Sequence, residues 1–355
     1  MTLNQLGLNQ DLQEHFLTLV PELDQLARVV QEHKELYTVQ NERGTFKAEI
    51  TGNLRYAAAD REDFPAVGDW VAMNVFDGDS TIIYKVLPRF SKLERQAVGA
   101  QGEKQLIATN IDFAFIVQAV DRDFNLNRLE RYFVLVNNGN IQPIIVLNKA
   151  DLIDEEALKS IRTEVANRLK NPLIFSTSTV DGSGLAELKN QLHASKTYCF
   201  LGSSGVGKSS IINFLVGNKL LEVSEISKAT SKGKHTTTHR ELVVLDDGSI
   251  LIDTPGMREV GMIDSSSGLE MTFGEISKWS RECRFSDCTH TDEPGCKVLQ
   301  AIHDGVISRE ELENFNKLQR QAEHFTSTLA QKRSRDKTFG KMVKEVMKYK
   351  KKNKY

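Results

Sequence analysis

Residues 202–210, GSSGVGKSS, contain the pattern G-x-x-x-x-G-K-[ST], which is typical of a loop that binds phosphate. Its glycines let the backbone wrap closely around a phosphate group, so that successive N–H groups point at it. We expect Lys208 to reach the β- and γ-phosphates of a nucleotide and the Ser209 hydroxyl to bind Mg²⁺. The predicted nucleotide-binding residues are Gly202, Ser203, Ser204, Gly205, Val206, Gly207, Lys208, Ser209 and Ser210.

Two later segments suit the γ-phosphate end of a nucleotide. Asp253-Thr-Pro-Gly256 follows an apolar run. Asp253 can hold a water bound to Mg²⁺, and the Gly256 N–H can contact the γ-phosphate. The polar stretch 223–240 contains three consecutive threonines at 236–238, and we take Thr237, or one of its neighbours, as a further Mg²⁺ ligand.

A second apolar run ends in Asn148-Lys149-Ala150-Asp151, the N-K-x-D pattern with which Ras-like GTPases read guanine. Asp151 can accept hydrogen bonds from N1–H and the 2-amino group of guanine, whereas adenine offers neither donor. Asn148 is expected to contact the base edge, and the Lys149 stem to cover the purine face. Ser176 begins a Ser-Thr-Ser stretch that fits the loop behind the guanine carbonyl.

The order of these motifs is unusual. In Ras-like domains the base-reading motif follows the phosphate loop, whereas here residues 148–151 precede residues 202–210. The complete order is base-reading motif, supporting loop, phosphate loop, threonine segment and D-T-P-G. It predicts a circularly permuted Ras-like domain, which is physically tolerable when the original termini lie close together at the surface.

Three of the four cysteines lie close together in the sequence, in the pattern Cys283-x4-Cys288-x-His290-x5-Cys296. Three thiolates and one imidazole form a closed tetrahedral set, typical of a structural Zn²⁺ site. A redox-active cysteine pair and unrelated core residues are the alternatives. Cys199 lies in an apolar run and is expected to pack in the core.

The apolar patterns predict the elements that position these residues. Six apolar runs between 111 and 256 alternate with helical stretches at 126–138, 155–170, 184–194 and 208–216, which predicts a mainly parallel sheet. Five short β-branched and aromatic runs further upstream predict a barrel of the oligonucleotide-binding type, with an SH3-like barrel as the alternative. We therefore expect a multi-domain α/β protein comprising a helical extension (1–26), an OB-type β-barrel (27–90), a linker (91–110), a circularly permuted P-loop GTPase domain (111–262), a zinc-knuckle helical domain (263–330) and a basic amphipathic tail (331–355).

Charge is distributed unevenly along the 355 residues, whose net charge is −2. Residues 332–355 contain eleven Lys or Arg and two acids, which predicts that this tail binds a polyanion. A solvated tail is the alternative reading, and binding to a membrane surface is a weaker one. The start of the chain lacks a signal-peptide pattern, and no apolar run is long enough to span a bilayer. We therefore expect a cytoplasmic protein.

The motifs in combination resemble the circularly permuted bacterial GTPases that assist late maturation of the small ribosomal subunit, the ribosome small subunit-dependent GTPase A family. The resemblance covers about residues 27–300 and includes VGDWV at 67–71, KHTTTHR at 234–240 and DTPGM at 253–257. It implies hydrolysis of GTP to GDP and phosphate, stimulated by the small (30S) ribosomal subunit, and contacts with its rRNA. It also implies a checkpoint role late in assembly. We expect a monomer without membrane contacts.

Met257 follows D-T-P-G at the position where Ras-like enzymes have the glutamine that orients the attacking water. A thioether cannot orient water, so we expect slow intrinsic turnover supported by Lys208 and Gly256. His235 is our candidate for the missing group, with His239 and the ribosome as alternatives. A small-molecule kinase and an RNA-binding module with a vestigial nucleotide site are the competing function classes.

Overall fold

The computed structural model describes residues 1–20, 22–33, 36–76, 81–96, 104–122, 124–217, 240–253 and 266–326. Several residues predicted to act on the nucleotide lie outside these ranges, namely His235, its alternative His239, Thr237 and Gly256, as does Met257. The predicted basic tail at 331–355 also lies outside them. The backbone of Asp253 is described, and its side chain is not.

Five strands form the predicted N-terminal barrel, namely β1 (Leu26–His33), β2 (Leu36–Asn41), β3 (Gly44–Ile50), β4 (Trp70–Val75) and β5 (Thr81–Val86). Strand β1 pairs with both β2 and β4, and β3 pairs in parallel with β5, so the barrel closes on itself. Short helix α2 (Gly52–Ala57) connects β3 to the second half of the barrel. The interior is filled by apolar side chains that include Ala27, Val29, Val39, Val71 and Ile83.

The residues that precede the barrel pack against it. Asn9 caps helix α1 (Gln10–Leu17) by accepting a hydrogen bond from Leu12 N at 2.8 Å. The ring of Phe16 is fully buried, with its centroid 6.3 Å from that of Trp70 on β4. Leu3, Leu6 and Leu8 join the same buried cluster. The N-terminal extension is therefore part of the packed structure.

A hairpin follows the barrel. Strands β6 (Lys92–Gln96) and β7 (Lys104–Thr109) pair antiparallel as a separate two-stranded sheet. The prediction of a linker at 91–110 missed these strands, because their outward side chains are polar. Inward-facing Leu93 and Ile107 are nevertheless buried in the core of the next domain.

The second domain contains the predicted mainly parallel sheet. Its strands are β8 (Phe113–Ala119), β9 (Gln142–Asn148), β10 (Ile174–Thr177), β11 (Thr197–Leu201), β12 (Arg240–Val244) and β13 (Ile250–Asp253), in the spatial order β10-β9-β8-β11-β13-β12. All neighbours pair in parallel except β12 and β13, which pair antiparallel across the turn at 245–249. Successive residues along β8 and β11 alternate between two buried clusters, so both faces of the sheet are covered.

In the described part of this domain four helices cover the sheet, namely α3 (Leu126–Asn138), α4 (Glu155–Arg168), α5 (Leu185–Lys189) and α6 (Lys208–Val216). Helices α3 and α6 have the predicted limits. Helix α5 is shorter than the stretch predicted at 184–194, because Leu192 N donates to Lys189 O at 3.0 Å in a turn that buries Leu192. Cys199 is fully buried in β11, as predicted, and burial raises the pKa of its thiol to about 12.

The barrel and the parallel sheet are continuous. Strand β1 pairs antiparallel with β12, with Gln31 opposite Glu241, so eleven strands within the described residues form one hydrogen-bonded sheet. Buried Arg28 on β1 donates to Gly68 O, Asn110 O and Thr197 Oγ1 at 3.2, 3.0 and 3.0 Å, and also to Leu6 O. Burial lowers the pKa of Arg28 to about 10. One guanidinium therefore joins the N-terminal segment, the barrel and the second domain.

The C-terminal helices are α7 (Ser266–Thr272), α8 (Gly274–Ser280), α9 (Lys297–His303) and α10 (Arg309–Thr326). Ser308 accepts a hydrogen bond from Glu311 N at 3.1 Å and caps α10. The helices share a core that includes Leu269, Phe273, Ile276, Val298 and Leu318, together with Val134 of α3. Within the described ranges, no helix is both long and apolar enough to cross a membrane.

Candidate functional site

The predicted nucleotide residues lie at one edge of the parallel sheet. Strands β8, β9, β10, β11 and β13 run in the same direction, so their carboxyl ends meet at that edge. The base-reading motif follows β9, the Ser-Thr-Ser stretch ends β10, the phosphate loop follows β11, and Asp253 ends β13. Ligands of open α/β sheets bind at this edge, which is the position that the permuted motif order predicts.

The phosphate loop is shaped by glycines at positions where a side chain does not fit. Gly202 has a φ of +143°, and a Cβ there would lie 2.2 Å from Val117 O. Gly207 has a φ of +98°, and a Cβ there would lie 2.1 Å from Asn148 Nδ2. Lys208 begins α6, and its Nζ donates to Gly202 O and Ser203 O, both at 2.6 Å. The loop therefore curls around the lysine ammonium group.

Asn148 connects the base-reading motif to the phosphate loop. Its side chain is fully buried, its Nδ2 donates to Val206 O at 2.8 Å, and its Oδ1 accepts from Thr177 Oγ1 at 3.0 Å. The sequence predicted that Asn148 contacts the base edge. In the structure both ends of its amide make protein contacts, because three loops converge here. These two bonds join the loops, and the contact of Asn148 with the base edge stays a prediction.

Lys149 and Asp151 directly follow β9, at the edge of the sheet where the strands end. Lys149 has a φ of +64°, and its Nζ donates to Asp121 at 2.8 Å, which extends the stem along the rim of the site. Asp151 lies in a short 3-10 helix, Ala150–Leu152, and its side chain is exposed. The carboxylate is therefore accessible to a base at the end of β9.

The Ser-Thr-Ser stretch is held by contacts on both sides. Arg162 of α4 donates to Ser176 Oγ at 2.8 Å and to Ile174 O at 3.3 Å. Ser178 is buried, and its Oγ accepts from Val180 N at 3.1 Å. Arg162 was not singled out from the sequence, because a charged residue on a helix gives no signal of what it faces. Thr177 belongs to the predicted Ser-Thr-Ser stretch. Its hydrogen bond to Asn148 could not be predicted, because it depends on how the strands pack in the fold.

The predicted Mg²⁺ ligands are described only in part. Ser209 lies in the first turn of α6 with its side chain exposed, directly after Lys208. Asp253 ends β13, which pairs in parallel with β11, the strand that leads into the phosphate loop. These positions fit a cation that bridges nucleotide phosphates, since Mg²⁺ prefers oxygen ligands.

Cys283, Cys288, His290 and Cys296 form a compact cluster in which the four ligand atoms all lie within 4.8 Å of one another. His290 Nδ1 lies 3.4 Å from Cys296 Sγ and 3.7 Å from Cys283 Sγ, and those two sulfurs are 3.9 Å apart. Tetrahedral zinc with ordinary bond lengths separates such ligands by roughly 3.6–3.8 Å. The donor set and its spacing therefore fit one Zn²⁺.

Further contacts orient these ligands. Ser280 Oγ lies 3.2 Å from His290 Nε2, which leaves Nδ1 directed at the thiols. At the start of α9, Lys297 N donates to Cys283 Sγ at 3.3 Å and Leu299 N donates to Cys296 Sγ at 3.4 Å. Burial lowers the pKa of His290 and favours the neutral imidazole that a metal requires. When bound, the ion would tie the loop 283–296 to helix α9.

Comparison with known proteins gives consistent matches over most of the chain. Residues 86–263 match the family model described as RsgA GTPase, and residues 197–348 match a model described as 50S ribosome-binding GTPase. Small ribosomal subunit biogenesis GTPase RsgA 1 of Bacteroides thetaiotaomicron is 42% identical over 325 residues, which cover 91% of this chain and 90% of the relative. A small ribosomal subunit biogenesis GTPase RsgA of Opitutus terrae is 40% identical over 335 residues, with 90% of each chain covered.

Solved structures match as well. YjeQ from Thermotoga maritima is 28% identical, with a TM-score of 0.60 over 83% of this chain and 96% of that one. YloQ, described as a circularly permuted GTPase, has a TM-score of 0.61 over 85% of this chain and 96% of that one, and at 24% identity it supports the fold alone. The chain therefore belongs to the RsgA GTPase family and is a P-loop GTP hydrolase with a circularly permuted GTPase domain.

Proposed function

We propose that this protein is a late-stage assembly factor that binds the small (30S) ribosomal subunit and its rRNA, and that the subunit stimulates its hydrolysis of GTP to GDP and phosphate. The observation that carries the proposal is the Asn148–Val206 hydrogen bond, which places the base-reading and phosphate-binding loops beside each other. The names of the curated relatives, which describe small ribosomal subunit biogenesis, supply the partner. The protein then acts in the cytoplasm, as a monomer.

The site residues have distinct proposed roles. Asp151 reads guanine, Lys149 covers the base, and the backbone at Ser176 contacts the guanine carbonyl. Lys208 and the Gly256 N–H stabilise the terminal phosphates. Mg²⁺ is held by Ser209 and Thr237 directly, and by Asp253 through water.

His235 is the proposed group that replaces the glutamine missing at Met257. Single-turnover hydrolysis by His235→Ala, measured with and without small subunits, tests this role. A slower rate with subunits present is the expected result. Unchanged rates under both conditions remove the histidine from the mechanism.

RNA contacts are proposed for the parts that surround the GTPase domain. The barrel is of a type whose surface often binds oligonucleotides. The zinc cluster supports a compact helical module, and the basic tail supplies charge that suits phosphates. GTP would then be hydrolysed when the small subunit presents the correct surface.

The test is GTP turnover by the full chain alone, with purified small subunits, and with purified large subunits. We expect small subunits to raise the rate at least tenfold, and Lys208→Ala to remove turnover under every condition. The description of the second family model makes the large subunit the competing partner. Stimulation by large subunits only, or by neither subunit, contradicts the proposal.

A further inference from the structure

Arg128 lies beside the phosphate loop, although no phosphate-binding motif includes it. Its backbone N donates to Asn125 Oδ1 at 2.9 Å, which fixes Arg128 in the first turn of α3. Its Nη1 lies 3.4 Å from Ser203 Oγ, and the side chain is half-buried. The contact arises because β8, which precedes α3, pairs in parallel with β11, which precedes the loop.

Arg128 and Lys208 approach the same residue of the phosphate loop. Lys208 Nζ donates to Ser203 O at 2.6 Å, while the Arg128 guanidinium faces Ser203 Oγ. Lysines of such loops contact the β- and γ-phosphates of the nucleotide. The guanidinium therefore lies at the end of the site where the terminal phosphates belong.

Arg128 forms no ion pair with Asp121 or Glu130, two acids close to it in the sequence. The nearby acids are committed elsewhere, since Asp121 pairs with Lys149 at 2.8 Å and Glu130 pairs with Arg168 at 2.6 Å. Among the described residues, Arg128 has no carboxylate partner within ion-pair distance. The pKa of Arg131, one turn along α3, is lowered chiefly by burial and further by the charge of Arg128. Cations gathered in this way are stabilised when an anion lies between them.

We propose that Arg128 is a phosphate-binding residue that contacts the β- and γ-phosphates of the nucleotide in cis and favours GTP over GDP. A guanidinium suits this role, because its planar donors match phosphate oxygens in pairs. The contact with Ser203 Oγ keeps the Arg128 side chain beside the phosphate loop before a nucleotide binds. The inference rests on nucleotide binding by the phosphate loop, and it does not depend on stimulation by a ribosomal subunit.

The test is equilibrium binding of fluorescent GDP and of a fluorescent non-hydrolysable GTP analogue to the full-length protein with Mg²⁺. Arg128→Ala is expected to weaken binding of the GTP analogue about tenfold or more, and binding of GDP by a much smaller factor. Arg128→Lys keeps the charge without the paired donors, and its affinity for the GTP analogue is expected to lie between those of the other two proteins. Higher salt should reduce the difference between wild type and Arg128→Ala.

The matched control is Arg122→Ala, which removes an equal charge from an exposed position in the loop before α3. It should bind both nucleotides as the wild type does.

Affinities of Arg128→Ala and Arg128→Lys within twofold of this control overturn the proposal. Equal losses of affinity for GDP and for the GTP analogue also overturn the proposal, because they would show that Arg128 does not contact the terminal phosphates. If Arg128→Ala fails to fold, Arg128→Lys alone decides the question. GTP turnover by the Arg122→Ala control is also measured with small subunits. Stimulation of that turnover supports the proposed function whatever the result for Arg128, so the two proposals can fail separately.

Discussion

Asn148 Nδ2 donates to Val206 O at 2.8 Å, across 58 residues of sequence, and so joins the two halves of the nucleotide site. The donor ends β9 and the acceptor lies in the loop after β11, with β8 between those two strands in the sheet. Because the three strands run in parallel, the reversed motif order leaves both loops at the same edge. The bond therefore follows from the parallel arrangement of these strands, whatever the order of the motifs along the chain.

Replacement of Asn148 by Asp is expected to weaken binding of GTP and GDP by roughly tenfold or more. The carboxylate still accepts from Thr177 Oγ1, but it faces Val206 O without a proton to donate. A buried carbonyl without its donor costs about 1–3 kcal/mol. Binding of fluorescent GDP and GTP to the purified variant measures the loss.

Asn140→Asp is a suitable control, since Asn140 lies on the protein surface away from the loops and its amide donates to Phe90 O. It should bind both nucleotides as the wild type does. Wild-type affinity in Asn148→Asp would show that this bond does not hold the site together.

The sequence was informative where a local pattern determines local structure. Helix α3 begins and ends as its pattern predicts, because Asn125 caps its start and one of its faces is apolar. The cysteine cluster was likewise predictable from the spacing of its residues.

Long-range contacts were not predictable from the sequence. The pairing of β1 with β12 joins Gln31 to Glu241, and neither residue signals the other. Arg28 gave no hint that its side chain is buried between three parts of the fold. In the sequence, Arg128 and Arg162 look like any charged residue on a helix, because their contacts depend on the order of the strands in the sheet. Such contacts arise only once the whole sheet is assembled.

The metal cluster should contain one zinc ion per chain. Cys288→Ser is expected to lower the bound zinc to well below one equivalent, because three remaining ligands hold the ion weakly. Elemental analysis of the dialysed protein gives the ratio directly. Cys199→Ala, which removes the thiol buried in β11, should keep the full equivalent. A native protein without zinc, in which a thiol reagent modifies all three clustered cysteines, would contradict the assignment.

Helices α3 and α7 approach closely at Gly268. A Cβ there would lie 2.2 Å from Val134 O and 2.8 Å from Asn138 Cβ, and Asn137 Nδ2 donates to Thr272 Oγ1 beside it at 3.0 Å. Gly268→Ala should therefore force the helices apart and destabilise the protein by about 1–3 kcal/mol. Hydrogen exchange in residues 266–326 is expected to increase.

Gly52→Ala provides the matched control for this change. Gly52 also lies in a helix, and a Cβ there meets nothing within 4 Å. The control should be as stable as the wild type or slightly more stable, because alanine favours a helix. Equal exchange in the two variants would show that the α3–α7 contact tolerates a methyl group.

Glu130 links α3 to α4 and α10. It is almost fully buried, accepts from Arg168 Nε at 2.6 Å, and also accepts from Asn314. Burial raises its pKa from 4.5 to about 7, against the opposing effect of Arg168. The native state therefore holds the proton more tightly than the unfolded state. The resulting stability is present below about pH 4.5 and is lost as the pH rises through about 7.

Glu130→Gln imitates the protonated side chain and removes this titration. As the pH rises from 5 to 8, the free energy of unfolding of Glu130→Gln should increase relative to that of the wild type by about 1 kcal/mol or more. Urea denaturation at both pH values measures the difference. Glu313→Gln, at an exposed position on α10, should follow the wild type at both. Parallel pH profiles for Glu130→Gln and wild type would rule out this role for the carboxyl group.

The specificity for guanine tests the account most directly, because it requires the base-reading motif and the phosphate loop to bind one nucleotide. Asp151→Asn replaces the carboxylate that accepts from N1–H and the 2-amino group. Competition between GTP, ATP and xanthosine triphosphate for the full-length protein gives the preference. We expect the variant to lose most of its affinity for GTP and to gain affinity for xanthosine triphosphate. An unchanged preference for GTP would contradict the convergence of the two motifs on a single guanine nucleotide.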